Sequence, residues 1–154
     1  MVEIAHDQTF PWVEQISVFL PNKVGSLERI VTLLDREQIR VCGFSILDSH
    51  DHAVVRLVVD RPPQALIALK GQGRTPVTAN LLAVALPVGS AVIVDILHRL
   101  LRAELNVHYA YSLLVRHGEK AIVVLHADNL EEAAATLRRG GFELISQKDL
   151  EPRS

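Results

Sequence analysis

The chain of 154 residues contains the same pattern twice. The dipeptide Leu-Pro at position 20 recurs at position 86, and this offset of 66 aligns the apolar residues of both copies without a gap up to Val41 and Val107. After the next turn the offset becomes 68, as at Asp60 and Asp128, and loops tolerate such a change in length. The chain is therefore a duplication of one structural unit.

Each copy predicts the same order of elements: strand, helix, strand, strand, helix, strand. Short runs rich in β-branched residues predict the strands, and apolar residues at helical spacing predict the helices. In the first copy the strands are 15–20, 39–47, 53–59 and 75–79, and the first helix carries the stripe Leu27, Ile30, Val31 and Leu34. In the second copy the strands are 81–86, 106–115, 121–127 and 142–147, and the first helix covers 90–103.

This order is the split-βαβ, ferredoxin-like plan, in which four antiparallel strands carry both helices on one face. We therefore predict an α+β fold of two tandem ferredoxin-like βαββαβ domains. The first domain covers 1–79, with an N-terminal extension 1–14, and the second covers 80–154. The two copies join almost without a linker at Asn80, so their sheets are expected to lie close together.

Two aspartates are predicted to begin the second helix of each copy. Asp60 is an N-cap candidate because Pro62 follows it, and a proline early in a helix loses no intrahelical hydrogen bond. Asp128 has Glu131 three residues on, which is the spacing of a capping box. The segment Gly71 to Gly73 and the pair Gly140-Gly141 are predicted to end these helices.

The third strand of each copy has apolar residues on both faces. Val54 and Val58 lie opposite the predicted helix side in the first copy, and Ile122 and Val124 do so in the second. A face of this kind is usually covered rather than wetted. Another copy of the protein is the simplest cover, so we predict a homodimer.

The composition argues against nucleic acid and membranes as partners. The net charge of −2 provides no basic surface for a polyanion, and the central strands carry no aromatic residue on which RNA bases would stack. The longest apolar stretch, LLAVALPV, is too short to cross a bilayer. With a single cysteine, Cys42, and no signal-peptide pattern at the start, the expected location is the cytoplasm.

The sequence contains no recognisable catalytic motif. The chain has no G-x-S-x-G elbow, H-E-x-x-H pair or Walker-type G-K-[ST], so we assign no catalytic residue and no cofactor. The histidines of His50-Asp51-His52 lack partners at a recognisable metal spacing, and we interpret this segment as a hairpin turn rather than a metal site.

A short loop joins the first strand to the first helix and has the composition of a ligand loop. A helix N-terminus presents unpaired N–H groups and positive potential, so a carboxylate binds well there. Gly25 lets a ligand approach the backbone, Ser26 adds a hydroxyl, and the amide oxygen of Asn22 can accept from an ammonium group. Together these groups suit an α-amino acid, although Asn22 and Gly25 can also serve only to shape the turn.

The segment L-P-N-K-V-G-S-L, in this loop of a duplicated βαββαβ chain, resembles the ACT domain family. The resemblance covers about 15–150 and extends to small stand-alone proteins of two ACT domains in tandem. It implies a regulatory module that binds an amino acid through the loop residues Asn22, Lys23, Val24, Gly25, Ser26 and Leu27. Val24 stands at the family's proline position, and Leu20 stands where serine-binding members place a histidine.

The two copies differ at the positions that this resemblance singles out. Asn22 corresponds to Val88 and Gly25 to Ala91, whereas Asn106 replaces the Arg40 of the first copy. ACT ligands typically bind between the loop of one domain and the second strand of its neighbour. The resemblance thus implies one site per chain, in which Asn106 faces the first loop. Further along the same strand, candidate walls of the site are Tyr109 and Tyr111.

We interpret the chain as a non-catalytic amino-acid sensor whose ligand is held at the ACT–ACT interface. The output would pass to another protein, for which an amino-acid biosynthetic enzyme is the expected class. An alternative is a ligand-independent regulatory subunit, similar to the small subunit of acetohydroxyacid synthase. A third hypothesis, less favoured, is an enzyme that uses the interdomain cleft.

Overall fold

The computed structural model describes residues 11–21, 25–49, 52–89 and 91–152. Residue contacts divide this part of the chain into two units. The first unit contains Glu14–Ala79 together with 150–152, and the second contains Asn80–Asp149 together with 11–13. The ends therefore group differently from the expected division, because Trp12 packs against the core of the second unit.

The first unit has an antiparallel sheet with two helices. Its elements are β1 (Trp12–Pro21), α1 (Ser26–Arg36), β2 (Val41–Asp48), β3 (His52–Val59) and α2 (Pro62–Gly71). β3 lies between β1 and β2 and is antiparallel to both. The core lies between this sheet and the helices, and its fully buried residues include Ile16, Ile30, Leu34, Leu57 and Leu69.

The second unit repeats the plan. Its elements are β4 (Val77–Leu86), α3 (Val92–Arg102), β5 (Val107–His117), β6 (Lys120–Ala127), α4 (Leu130–Arg139), β7 (Glu143–Ile145) and α5 (Gln147–Leu150). β6 lies between β4 and β5, and β7 pairs with β4, all antiparallel. The core between sheet and helices contains Leu82, Val84, Ile96, Leu100 and Leu137. The predicted α+β fold of two ferredoxin-like domains is confirmed.

The duplication is visible in backbone details that no composition could reveal. The hairpin registers correspond, since Phe44 pairs with Leu57 as Ala110 pairs with Leu125. Both hairpins also have an irregularity at the same place, between Val41 and Gly43 and between Val107 and Tyr109. After the first helix of each copy a non-glycine residue has positive φ, at Gln38 (58°) and Glu104 (59°).

Three predicted element boundaries were wrong. The strands predicted at 75–79 and 81–86 are one continuous strand, β4, because no glycine or proline interrupts it around Asn80. The last strand is shorter than the predicted 142–147 and covers only Glu143–Ile145. It is followed by the short helix α5, which was not predicted; the side chain of Asp149 accepts from the backbone and hydroxyl of Ser146 there.

The two predicted aspartate caps were also wrong. The N-cap of α2 is Arg61, without a side-chain cap bond, and the N-cap of α4 is Asn129, whose Oδ1 accepts from the N–H of Glu132 at 3.0 Å. Asp60 and Asp128 instead bond to the residue just before the second strand of their own copy. Local spacing misses this arrangement, because the partner lies about twenty residues away.

The apolar sheet residues that motivated a dimer are covered within the single chain. Val58, Ile122 and Val124 are each at most 1% exposed, and Val54 is half-buried. The prediction of a homodimer therefore cannot rest on these strands. In the described ranges, no helix is long and apolar enough to cross a membrane.

Candidate functional site

The loop after β1 leads directly into α1, and Gly25 is the N-cap of that helix. Gly25 has φ of 89°, a left-handed conformation that a side chain would strain. The glycine is thus required by the backbone at this point, whatever else it does. The predicted ligand residues Asn22, Lys23 and Val24 lie outside the described residues.

A cavity of about 390 Å³ lies where this loop meets the hairpin of the same unit. Its wall contains three of the predicted ligand residues, Gly25, Ser26 and Leu27. The other lining residues are Leu20, Pro21, Glu28, Ile46 and Ala53. A volume of this order falls within the range of small-molecule sites. We call it the first-loop cavity.

The first turn of α1 contributes Ser26, Leu27 and Glu28 to the lining of this cavity. The N-cap glycine has no side chain to satisfy the first N–H groups of the helix, and no side-chain cap bond is formed. These N–H groups have no intrahelical acceptor and lie at the positive end of the helix dipole. Ser26, only 3% exposed, begins the helix here. A helix start of this kind can offer hydrogen-bond donors to an anionic group.

Two opposite charges stand beside the first-loop cavity, and sequence reasoning missed both. Glu28 is one of the residues that line the cavity, and its Oε2 accepts from the Thr32 hydroxyl at 2.6 Å. The Nη1 atom of Arg29 lies 3.8 Å from the position that a Cβ atom on Gly25 would occupy. The sequence signal that could have identified them is an acidic residue next to a basic one, in the first helical turn after a glycine-containing loop.

The remaining predicted residues lie in the second unit. Asn106 is exposed and immediately precedes β5, where its backbone pairs with Asp128. Tyr109 and Tyr111 are half-buried in β5, and their rings stack with centroids 6.5 Å apart. The His126 ring stacks on Tyr109 with centroids 5.3 Å apart. These aromatic residues form a continuous cluster, with no equivalent among the corresponding residues Gly43, Ser45 and Val58 of the first copy.

The loop of the second unit borders a cavity of different chemistry. This cavity of about 570 Å³ is lined by Pro87, Gly89, Ala91, Val92, Asp95, Gly140, Gly141 and Phe142. Its one charged residue, Asp95, is already paired, because Arg99 Nε donates to its Oδ1 at 3.0 Å. The positions of Ser26 and Glu28 are taken here by Val92 and Val94. The Ser26 hydroxyl and the Glu28 carboxylate therefore have no counterpart at these two positions of the second copy.

Among the described residues, no group of three or more His, Cys, Asp or Glu side chains is placed to hold a metal ion. Of the proposed turn His50-Asp51-His52, only His52 is described; its ring stacks on Phe19 with centroids 4.4 Å apart. His108 is engaged with a carboxylate, since its Nε2 lies 2.7 Å from Asp128 Oδ1.

Comparison with known proteins identifies the class. The family model of the ACT domain pair matches residues 12–152, so the chain belongs to this family. It is similar in fold to protein BT0572 from Bacteroides thetaiotaomicron, with a TM-score of 0.84 and 24% identity over 92% of this chain and 97% of the other.

A second similar structure is the ligand-free regulatory subunit of aspartate kinase from Thermus thermophilus, with a TM-score of 0.62 and 17% identity over 86% of this chain and 93% of that one. The corresponding subunit from Thermus flavus has a TM-score of 0.58 and 15% identity over 83% and 90% of the two chains. No curated protein matches the sequence significantly. At these identities the structural likeness shows the fold.

Proposed function

We propose that the protein is a non-catalytic regulatory module that binds a free α-amino acid at the first-loop cavity. The observation that carries this proposal is the pairing of charges beside the cavity. An α-amino acid presents a carboxylate next to an ammonium group, and Arg29 and Glu28 supply the opposite charges on adjacent residues. Charge-assisted hydrogen bonds of this kind are the strong ones.

In the proposed binding mode, the ligand carboxylate accepts from the N–H groups at the start of α1 and is attracted by Arg29. The ammonium group donates to Glu28 and to the amide oxygen of Asn22. Lys23 and Val24, which lie between Asn22 and Gly25 in the sequence, are included in the proposed site.

The finer part of the proposal places this ligand where the two ACT domains meet. Asn106 then contributes its amide to the ligand from the second domain, and Tyr109 and Tyr111 form a wall. A ligand held by both domains stabilises the arrangement in which both contacts exist, and shifts the protein towards it by its differential affinity. That shift is the signal passed to a partner, for which an amino-acid biosynthetic enzyme is the proposed class.

A second candidate is a ligand-independent regulatory subunit of such an enzyme. It is favoured by the two similar aspartate kinase regulatory subunits, of which the chain covers 93% and 90%. The shared fold thus extends over nearly the whole of those chains. Under this candidate the cavity is a structural feature and the protein acts through its surface.

Calorimetric titration with each of the twenty amino acids separates the two candidates. Saturable binding of one amino acid, or of a few related ones, is expected for the sensor. Uniformly flat titrations, together with co-purification of an enzyme from the native host, would contradict the sensor and favour the subunit.

We also propose a homodimer that acts in the cytoplasm. The apolar surface available to it is the outer side of α3, which exposes Ile93, Val94, Leu97 and Leu101. At the corresponding positions α1 carries Leu27, Glu28, Val31 and Asp35, so two of the four are charged in the duplicate. Light scattering is expected to give the mass of a dimer at micromolar concentration, and a stable monomer would contradict this.

A further inference from the structure

The first-loop cavity has an apolar floor. Leu20 and Ala53 are cross-strand partners at the ends of β1 and β3, and both belong to or pack against the core of the first unit. Ile46 lies in β2 and pairs with Val55 of the adjacent strand β3. Val55 is two positions along β3 from Ala53, so Ile46 is on the same face of the sheet as Ala53. Leu27 closes the cavity from the first turn of α1.

The charged residues near this cavity lie on its helix side. Glu28 and Arg29 belong to the first turn of α1, and both residues are exposed. No lining residue contributed by a strand is charged: these are Leu20, Pro21, Ile46 and Ala53. The site is therefore divided into a polar side on the helix and an apolar side on the sheet.

Ile46, on the apolar side of the cavity, is only partly covered by the protein. This side chain is 46% exposed although Val55, its cross-strand partner, belongs to the core. Covering an exposed apolar side chain removes hydrocarbon surface from water and is favourable. In the duplicate the corresponding residue is Ser112, so the second copy has no apolar wall at this position.

From this division we infer that the ligand of the first-loop cavity is an α-amino acid with an apolar side chain. The inference rests on the proposed function, and adds the class of ligand to it. The α-carboxylate and α-ammonium groups occupy the helix side. The side chain lies against Leu20, Ala53 and Ile46 and removes Ile46 from water. A ligand with a charged or hydroxyl-bearing side chain would leave that group facing carbon atoms without a hydrogen-bond partner.

A homologous series of ligands tests this inference directly. Alanine, 2-aminobutyrate and norvaline share the same α-groups and differ by one methylene group at each step. Titration of the wild-type protein is expected to show affinity rising roughly fourfold per methylene, the equivalent of about 0.8 kcal/mol per buried CH₂. Serine and aspartate, measured beside them, are expected to bind more weakly than 2-aminobutyrate.

The variant Ile46→Ser introduces the residue that stands at this position in the second copy. It is expected to weaken norvaline binding about five- to tenfold and to leave alanine binding within about twofold, as loss of one apolar wall would. Leu47→Ser is the matched control. Leu47 is 54% exposed on the same strand but is not part of the cavity lining, so its replacement is expected to change neither affinity.

The outcomes separate this inference from the proposed function. A flat series, preferential binding of a polar amino acid, or equal effects of the two serine variants would overturn the apolar class while leaving an amino-acid sensor in place. Failure of every amino acid to bind would overturn both. Because both substituted residues are exposed, thermal unfolding of each variant is expected to match the wild type.

Discussion

Asp60 holds the backbone of Arg40 at two points: its Oδ1 accepts from the N–H of Arg40 at 2.9 Å, and its own N–H donates to the Arg40 carbonyl at 3.1 Å. Asp128 makes the same two bonds with Asn106 in the second copy, both at 3.1 Å. This pair of bonds fixes the start of the second strand in each unit. In the second copy, the residue whose backbone is fixed is the proposed ligand residue Asn106.

Removal of these carboxylates is expected to destabilise the two copies unequally. Asp60 is 4% exposed, and Asp60→Ala leaves the partly buried N–H of Arg40 without its acceptor. This variant is expected to lower the free energy of unfolding by about 1–3 kcal/mol. Asp128 is exposed, so Asp128→Ala is expected to cost less than about 1 kcal/mol, because water replaces the lost carboxylate. Urea unfolding of both variants measures the difference, and equal losses would contradict the explanation by burial.

Cys42 lies beside this arrangement and its thiol is expected to react slowly. Burial raises the pKa of Cys42 from 9.0 to about 11; the negative charge of Asp60 adds to the shift and Arg40 opposes it. Because only the thiolate is nucleophilic, alkylation of the folded protein at pH 8 should be much slower than that of an unfolded control. Asp60→Asn keeps an acceptor oxygen but removes the negative charge. This variant is expected to lower the pH at which the alkylation rate of Cys42 rises.

The same shift has a consequence for stability. The folded-state pKa of Cys42 lies above its unfolded value, so the neutral thiol contributes fully below about pH 9, and this contribution is lost as the pH rises through about 11. Cys42→Ala should therefore show a smaller loss of stability than the wild type between these pH values. Identical pH profiles for the two proteins would exclude a buried, neutral Cys42.

A third prediction concerns the stability of the protein at acidic pH. Hydrogen bonding to Lys120 is the largest cause that lowers the pKa of Glu143 below 4.5, and the charge of His117 acts in the same direction. The Glu143 carboxylate lies 3.2 Å from Lys120 Nζ and 3.0 Å from His117 Nε2, and so links β7 to the β5–β6 hairpin. Its stabilising effect is present above pH 4.5 and is lost as the pH falls through the lowered folded pKa. Glu143→Gln should remove this part of the acid dependence, and added salt should reduce it in the wild type.

The fold could be predicted from the sequence because the strongest signal was the internal repeat. The offsets of 66 and 68 were inferred from residues such as Val41 and Val107, and the hairpin registers later followed the same correspondence. Strand and helix types followed from the periodicity of apolar residues, which depends only on neighbours along the chain. These elements are determined locally, and a single sequence contains that information.

The features that sequence reasoning missed depend on distant partners. Asp60 has the residue type and spacing of an N-cap, yet the backbone of Arg40 offers it two bonds from another strand. In the same way Ile46 was not a candidate ligand residue, because only the hairpin register brings it to the face that Ala53 shares. Glu28 and Arg29 were not among the predicted site residues, because only the folded structure places them beside a cavity.

The fourth prediction uses the duplication as a control for the glycine. Gly25→Val is expected to abolish detectable ligand binding, since a β-branched residue at φ of 89° distorts the loop and obstructs approach to the helix start. Ala91→Val at the corresponding position of the second copy meets ordinary negative φ, and is expected to bind normally. Titration of both variants, with circular dichroism as a check of folding, measures this. Normal binding by a folded Gly25→Val would show that the loop does not hold the ligand.

The last prediction is that each chain binds one amino acid, although it contains two ACT domains. The first loop supplies Asn22 and the charges of Glu28 and Arg29, whereas the second has Val88 and an Asp95 that Arg99 already occupies. A valine has no donor or acceptor in its side chain, so the second loop cannot replace the amide. Titration of the wild type is therefore expected to give a stoichiometry of one ligand per chain.

Substitution of the two asparagines tests which groups build that single site. Asn22→Ala and Asn106→Ala are each expected to weaken binding by ~1–3 kcal/mol, as loss of a hydrogen-bond partner to a charged ligand group would. Arg40→Ala is the matched control, because Arg40 stands at the position of Asn106 in the first copy and its backbone is held in the same way by Asp60. If Arg40→Ala weakens binding as much as Asn106→Ala does, or if two equivalent sites are found per chain, both copies contribute a loop and a strand and the asymmetric site is wrong. If only the asparagine variants lose affinity, the single site is built from the first loop and the second strand of the second copy.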